Sequence, residues 1–144
     1  MRQQPVYLSG SVAGVLHPPL GPPTGLGVLL VPPFGWDDQS SYRPRRAWAR
    51  ALAADGHLAL RIDLPGTGNS GGGPRDADLV AAWIAAVRSG VAALGTERTA
   101  LIGLGLGGLV SLSVAVDDLI LWGVPSRGRG ALRELKAFGR LEAA

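Results

Sequence analysis

Apolar positions along this chain alternate between two rhythms. Val12 to Leu16 and Leu26 to Val31 are short apolar runs, separated by the proline-rich connection His17-Pro-Pro-Leu-Gly-Pro-Pro23. Runs of this length bounded by turn residues predict strands. Arg45 to Ala54 changes to the helical rhythm, with Trp48 and Leu52 four apart on the inward face and Gly56 as a stop signal. Leu58 to Ile62 predicts the next strand. Asp76 to Leu94 is the strongest helical segment, because Val80, Ile84, Val87, Val91 and Leu94 recur on one face, with Asp76 or Asp78 placed to cap it. Gly90 weakens that helix and Gly95 ends it. Ala100 to Ile102 is then a strand, Gly107 to about Ala115 a helix, Leu119 to Trp122 a strand and Ala131 to Phe138 a last helix.

Strands alternating with helices predict a mostly parallel sheet with right-handed crossovers and helices on both faces. Ligands in such sheets sit at the carboxyl ends of the strands. No internal repeat or linker interrupts the pattern, and Gly71-Gly-Gly-Pro74 is a loop before the long helix. One domain is the expectation for 144 residues. The content of 47% apolar and 17% charged residues excludes a disordered chain and suits elements buried on both sides.

Charge narrows the partners little. The net charge is only +3, and the densest basic cluster is Arg43, Arg45, Arg46 and Arg50, of which Arg43, Arg46 and Arg50 share one helix face. No recognition motif accompanies them, so they read as a solvated face and no nucleic-acid partner is expected. With no cysteine and two histidines, neither a disulfide nor a metal site is expected. Met1 to Ser9 lacks the apolar run of an export signal, so a cytoplasmic location is expected.

The chemistry concentrates in Thr99-Ala-Leu-Ile-Gly-Leu-Gly-Leu-Gly-Gly-Leu-Val110, an apolar strand passing through glycines into a helix. Three readings compete. The first takes Gly103 and Gly107 as the flanks of a Gly-x-Ser-x-Gly nucleophile elbow, with Gly105 at the serine position, where it can neither attack a carbonyl nor be activated. The second takes Gly103, Gly105 and Gly108 as a dinucleotide-binding fingerprint. That reading lacks the acidic residue at the end of the next strand, since Asp117 and Asp118 precede it. The third takes the uncharged stretch Thr99 to Val116 as a membrane span, but four glycines make it a poor one. No cofactor and no span are expected.

Two further segments favour the elbow. Pro32-Pro-Phe-Gly-Trp36 follows the second of those strands, where Phe34 N–H can serve as an oxyanion donor and Pro33 has no N–H to offer. Leu106 N–H, just after the elbow position, is the second candidate donor. Asp63-Leu-Pro-Gly-Thr-Gly-Asn-Ser70 closes the following strand with a glycine-rich turn.

From about Leu26 onward these segments resemble the α/β-hydrolase superfamily in its serine aminopeptidase-like branch. More narrowly, Val31-Pro-Pro-Phe-Gly-Trp-Asp-Asp, Tyr42-Arg-Pro-Arg-Arg-Ala-Trp48, Asp63-Leu-Pro-Gly-Thr-Gly-Asn-Ser70 and Asp118-Leu-Ile-Leu-Trp122 resemble hydrolases found with bacterial exosortase systems, some of which lack the elbow serine. The resemblance implies an α/β-hydrolase sheet and hydrolysis of small acyl substrates through a Ser-Asp-His triad.

The departures are specific. Gly105 replaces the serine, and no histidine follows it, since His17 and His57 both precede the elbow. Asp117, Asp118, Glu134 and Glu142 are the acids that follow, and each reads as a helix-end or surface charge. The family continues past the equivalent of Trp122 with a lid and further strands, so a partial domain is expected here. An open sheet edge is expected with it, covered by a partner chain or a second copy. Three functions remain open, the first two being an inactive or impaired acyl hydrolase and a non-catalytic binding or assembly subunit on the same scaffold. A small dinucleotide binder is the third.

Overall fold

A computed structural model describes residues 3–143, apart from the side chains of Phe138 and Glu142. Six strands and four helices follow one another as β1 (Gln4–Leu8), β2 (Val12–His17), β3 (Leu26–Val31), α1 (Trp36–Ala54), β4 (Leu58–Ile62), α2 (Leu79–Leu94), β5 (Arg98–Leu104), α3 (Gly105–Ser111), β6 (Asp118–Trp122) and α4 (Gly128–Ala143). The sheet order is β1-β2-β4-β3-β5-β6. β1 and β2 form an antiparallel hairpin whose second strand also pairs antiparallel with β4, whereas β4, β3, β5 and β6 are mutually parallel.

This order fixes where the helices go. The chain steps outward from β3 to β4, then returns across β3 to β5, so two right-handed crossovers in opposite directions place α1 and α2 on opposite faces. Ala49 of α1 packs with Val28, Leu30, Ala59 and Ala100 on one face. Trp83, Ala86, Val87 and Leu94 of α2 pack with Leu29, Val31, Leu60, Ile62 and Leu101 on the other. The residues of β3 alternate between these two cores, and all but its first are buried, as a strand covered on both faces requires.

Several boundaries differ from those the pattern predicts. The α1 helix begins at Trp36, nine residues before Arg45, and carries Pro44 inside it. Arg45 explains its survival: its Nε donates to the Ser41 carbonyl (3.3 Å), its Nη2 to the Asp38 carbonyl (2.9 Å), and it also pairs with the Asp38 carboxylate. The buried arginine thus holds carbonyls in the turn that a proline loosens. It also leaves the basic cluster: Arg45 is buried, while Arg43, Arg46 and Arg50 are exposed as the periodicity implies. Trp48 and Leu52 are only half-buried, because the face nearest the sheet is Arg45, Ala49 and Ala53.

The α2 helix starts at Leu79, and neither aspartate caps it. Asp78 stands at the N-cap in a left-handed conformation with no side-chain cap bond, and Asp76 accepts from Gly73 N–H instead. Val80 is exposed, so the inward stripe runs through Trp83, Ala86, Val87, Gly90 and Leu94. The α3 helix runs from Gly105 only to Ser111, shorter than the pattern's Ala115 limit and two residues earlier at its start. The α4 helix starts at Gly128, three residues before Ala131, and Ala131 is buried whereas Leu132 is exposed. The side chain of Phe138, where the pattern ends this helix, lies outside the described residues. β1 was not legible in the pattern because its five residues are mostly exposed and include Pro5.

Candidate active site

β3 and β5 are neighbours from which the chain departs in opposite directions, and the crevice at their carboxyl ends is the switch point of the sheet. Two loops meet there. One is Pro32-Pro33-Phe34-Gly35 after β3; the other is the passage from Leu104 into Gly105 and α3. Val31 of β3 is in register with Gly103 of β5, which sets the two loops side by side.

The glycines of this strand-to-helix turn act by absence of a side chain. A Cβ on Gly107 would stand 1.9 Å from the Pro32 carbonyl oxygen, and one on Gly103 would stand 2.5 Å from Gly108 Cα. A Cβ on Gly108 would meet Val124 Cγ2 at 2.3 Å. Strand, helix and the β3 loop therefore touch backbone to backbone. Gly105 has φ +51°, a left-handed conformation in which non-glycine residues are strained. A Cβ there would reach 3.0 Å from Pro33 Cβ. Gly105, which the sequence reading expects at the nucleophile position, stands at the start of α3, at the tip of the strand-to-helix turn, and lines the crevice.

Phe34 is held by its ring, which lies 5.2 Å from that of Trp83 at 47°. Trp83 in turn donates Nε1–H to the Pro65 carbonyl at 2.9 Å. Among the described residues, the Phe34 N–H takes part in no backbone or side-chain hydrogen bond. Leu106 N–H belongs to the first turn of α3, where donors have no carbonyl ahead of them in the helix. Phe34, Gly105 and Leu106 line one cleft of about 390 Å³ with Trp36, Asp37 and Glu134. A second cleft of about 350 Å³ shares Pro33, Asp37, Gly105 and Gly123 and is walled by Trp48 and Trp122, whose rings are 5.8 Å apart. Asp37 and this tryptophan contact were not singled out as site features by the sequence, although Asp37, Trp48 and Trp122 all lie in segments that carry the resemblance.

Neither histidine reaches the crevice as a base. His17 is fully buried and its Nε2 accepts from Arg61 Nε at 3.1 Å, while its Nδ1 is buried without a partner. Burial, reinforced by the cations of Arg61, Arg50 and Arg46, lowers its pKa to about 4. His57 Nδ1 is bonded to Thr24 Oγ1 at 2.7 Å, at the opposite end of the strands. The acids after the elbow are equally remote in role. Asp117 accepts from Thr99 N–H, and Asp118 forms a two-bonded fork with Arg98 at the amino ends of β5 and β6. The fork holds the Asp118 carboxyl below its usual range and raises Arg98. Asp63 accepts from Asn69 N–H and so organises its own turn. Asp38 is raised by burial, against the pull of Arg45, whose own pKa is lowered by the same burial.

The dinucleotide reading meets the same obstacle in three dimensions, because Asp117 and Asp118 lie at the amino ends of the strands, away from Gly105. Among the described residues, no helix is long and apolar enough to cross a membrane, and no three His, Cys, Asp or Glu side chains gather as a metal site.

Comparison with known proteins agrees with this architecture. A putative hydrolase from Agrobacterium vitis superposes with a TM-score of 0.63 at 18% identity, over 85% of this chain and 52% of its own. The proline iminopeptidase-related protein from Thermus thermophilus gives 0.65 at 23%, over 86% and 45%. A membrane phospholipase A described as a bacterial virulence factor gives 0.64 at 25%, over 88% and 42%. The chain thus spans about half the length of these proteins. No curated protein matches it in sequence. The model of the alpha/beta hydrolase family matches residues 28–144, from β3 onward and through the elbow, and the chain belongs to that family.

Proposed function

We propose that this chain is an alpha/beta-hydrolase scaffold that binds an acyl compound at the elbow crevice without forming an acyl-enzyme. The observation that carries the reading is Gly105, which occupies the tip of the elbow at φ +51° and brings no nucleophile to it. This holds whatever other segments supply an acid or a base. The donors that remain, Phe34 N–H and Leu106 N–H, can hold a carbonyl oxygen in the cleft they both line. Oxyanion donors and positioning alone contribute roughly 10³-fold over water in an otherwise intact site. Hydrolysis through a covalent intermediate is therefore absent or severely impaired.

Acyl compounds are the ligand class supported by the family and by neighbours described as an iminopeptidase-related protein and a phospholipase. The segments from Val31 to Asp38, Tyr42 to Trp48 and Asp63 to Ser70 support placing the chain with the bacterial exosortase-associated hydrolases, with a cytoplasmic setting. A second reading, an assembly subunit, is favoured by β6, whose outer edge is open and whose Ile120 and Trp122 are 51% and 64% exposed.

A fluorophosphonate probe, which labels only activated serines, tests the main reading. No labelling and no burst of product from short acyl esters are expected. Stoichiometric labelling would overturn it.

A further inference from the structure

The two clefts meet at Gly105, which lines both together with Pro33, Asp37 and Gly123. Their charge is opposite to that of the chain. The protein carries a net charge of +3, yet every charged side chain lining either cleft is a carboxylate, Asp37 in both and Glu134 in the first. Among the described residues, neither carboxylate has an ion-paired or hydrogen-bonded cation. The neighbouring Asp38, by contrast, is taken up by Arg45.

The walls are aromatic on both sides of this negative charge. Trp36 borders the first cleft and is 64% exposed, and Trp122, equally exposed, leans on Trp48 in the second. An acid in the first turn of α1 has an ordinary explanation in the helix dipole. That explanation accounts neither for a second carboxylate contributed by α4 nor for exposed indole faces around both. The α1 N-terminus itself carries about half a positive charge, which one carboxylate more than offsets, so the mouth stays negative.

We propose that the joined clefts select an organic ammonium ion with an apolar body, its cationic head between Asp37 and the indole faces of Trp122 and Trp48. Indole is the ring that attracts cations most strongly, and a carboxylate beside it adds a Coulombic term of the same sign. The proposal rests on the reading of the crevice as a binding site, and it leaves the Phe34 and Leu106 N–H groups for an uncharged carbonyl oxygen of the same ligand. Glycine at position 105 then has a positive role, since a side chain there would stand on the floor shared by the two clefts.

The test is calorimetric titration of the 144-residue chain with benzyltrimethylammonium, benzyl alcohol and phenylacetate. The ammonium ion is expected to bind at least about tenfold more tightly than either of the others, with a change in tryptophan fluorescence. Asp37→Asn is expected to weaken it by about five- to tenfold while leaving benzyl alcohol unchanged. Trp122→Leu, at an exposed position, serves as an independent variant should Asp37→Asn fail to fold, and is expected to weaken the ammonium ion at least about threefold. Equal affinity for all three compounds, or undiminished ammonium affinity in either folded variant, would overturn the proposal. Fluorophosphonate labelling would overturn the non-covalent reading and leave the charge preference standing, so the two failures are distinguishable.

Discussion

Replacing Gly107 by alanine puts a methyl group 1.9 Å from the Pro32 carbonyl oxygen, 2.8 Å from its carbon and 3.0 Å from Val31 Cγ1. The first two contacts are backbone, in a loop whose prolines are buried, so no side chain can swing aside. Relief requires α3 and the β3 loop to part by roughly 1 Å, which opens the contact that forms the crevice. Overpacking of this kind costs typically about 1–3 kcal/mol, and sometimes more. The gain in helix propensity, about 1 kcal/mol, offsets part of it. Because the clash is with backbone the upper end of that cost applies, and a net loss of about 2 kcal/mol is expected, or about 7 °C in melting temperature for a domain of this size. Gly139→Ala is the control, because a Cβ there meets nothing within 4 Å and the position lies inside α4. It should raise stability by up to about 1 kcal/mol. Urea unfolding followed by tryptophan fluorescence measures both. If Gly107→Ala unfolds at the same urea concentration as the parent, backbone contact at the elbow is not what holds the two loops together.

Other outcomes follow from the same geometry. Gly105→Ser in this 144-residue chain should remain unlabelled by a fluorophosphonate, since His17 is locked to Arg61 and His57 to Thr24; labelling would reveal a base elsewhere. His17 has a depressed folded pKa of about 4, so its contribution is full above pH 6.5 and is lost as pH falls toward 4, by at most about 3 kcal/mol. Denaturation midpoints across that window should fall less steeply in His17→Gln than in the parent, and equal slopes would assign the proton uptake to other groups. Asp38→Ala leaves Arg45 buried without its carboxylate and should cost about 3 kcal/mol, whereas Arg46→Ala, on the exposed face, should be silent in the same melt. The open edge of β6 should make the chain self-associate, and Ile120→Lys should shift light scattering toward the monomer mass; a monodisperse parent at high micromolar concentration would contradict this.

Much of the fold is written in local pattern. The β3 and β4 boundaries coincide with their apolar runs, and the C-terminal ends of α1 and α2 fall where glycine or a polar break stops the helical rhythm. These features depend on neighbours along the chain, so the sequence carries them directly. The strand-to-helix turn at Gly103 to Gly108 is of the same kind, because its close backbone approaches admit no Cβ, and four glycines in six positions announce it. The start of α1 was not legible, since Pro44 argues against a helix. Only the return of Arg45 onto the carbonyls of Asp38 and Ser41 makes it tolerable, and that depends on the arginine being buried against the sheet. The loss of capping by Asp76 and Asp78 is similar, because the glycine loop before α2 claims Asp76 first. For the site, the sequence alone determined that position 105 carries no side-chain nucleophile, and it named Phe34 and Leu106 as the candidate donors on either side. Which charges and rings surround that point was decided by tertiary structure. Asp37, Trp48, Trp122 and Glu134 are scattered over nearly a hundred positions, and only the strand order β4-β3-β5-β6, with α1 and α4 at its carboxyl end, brings them to one crevice.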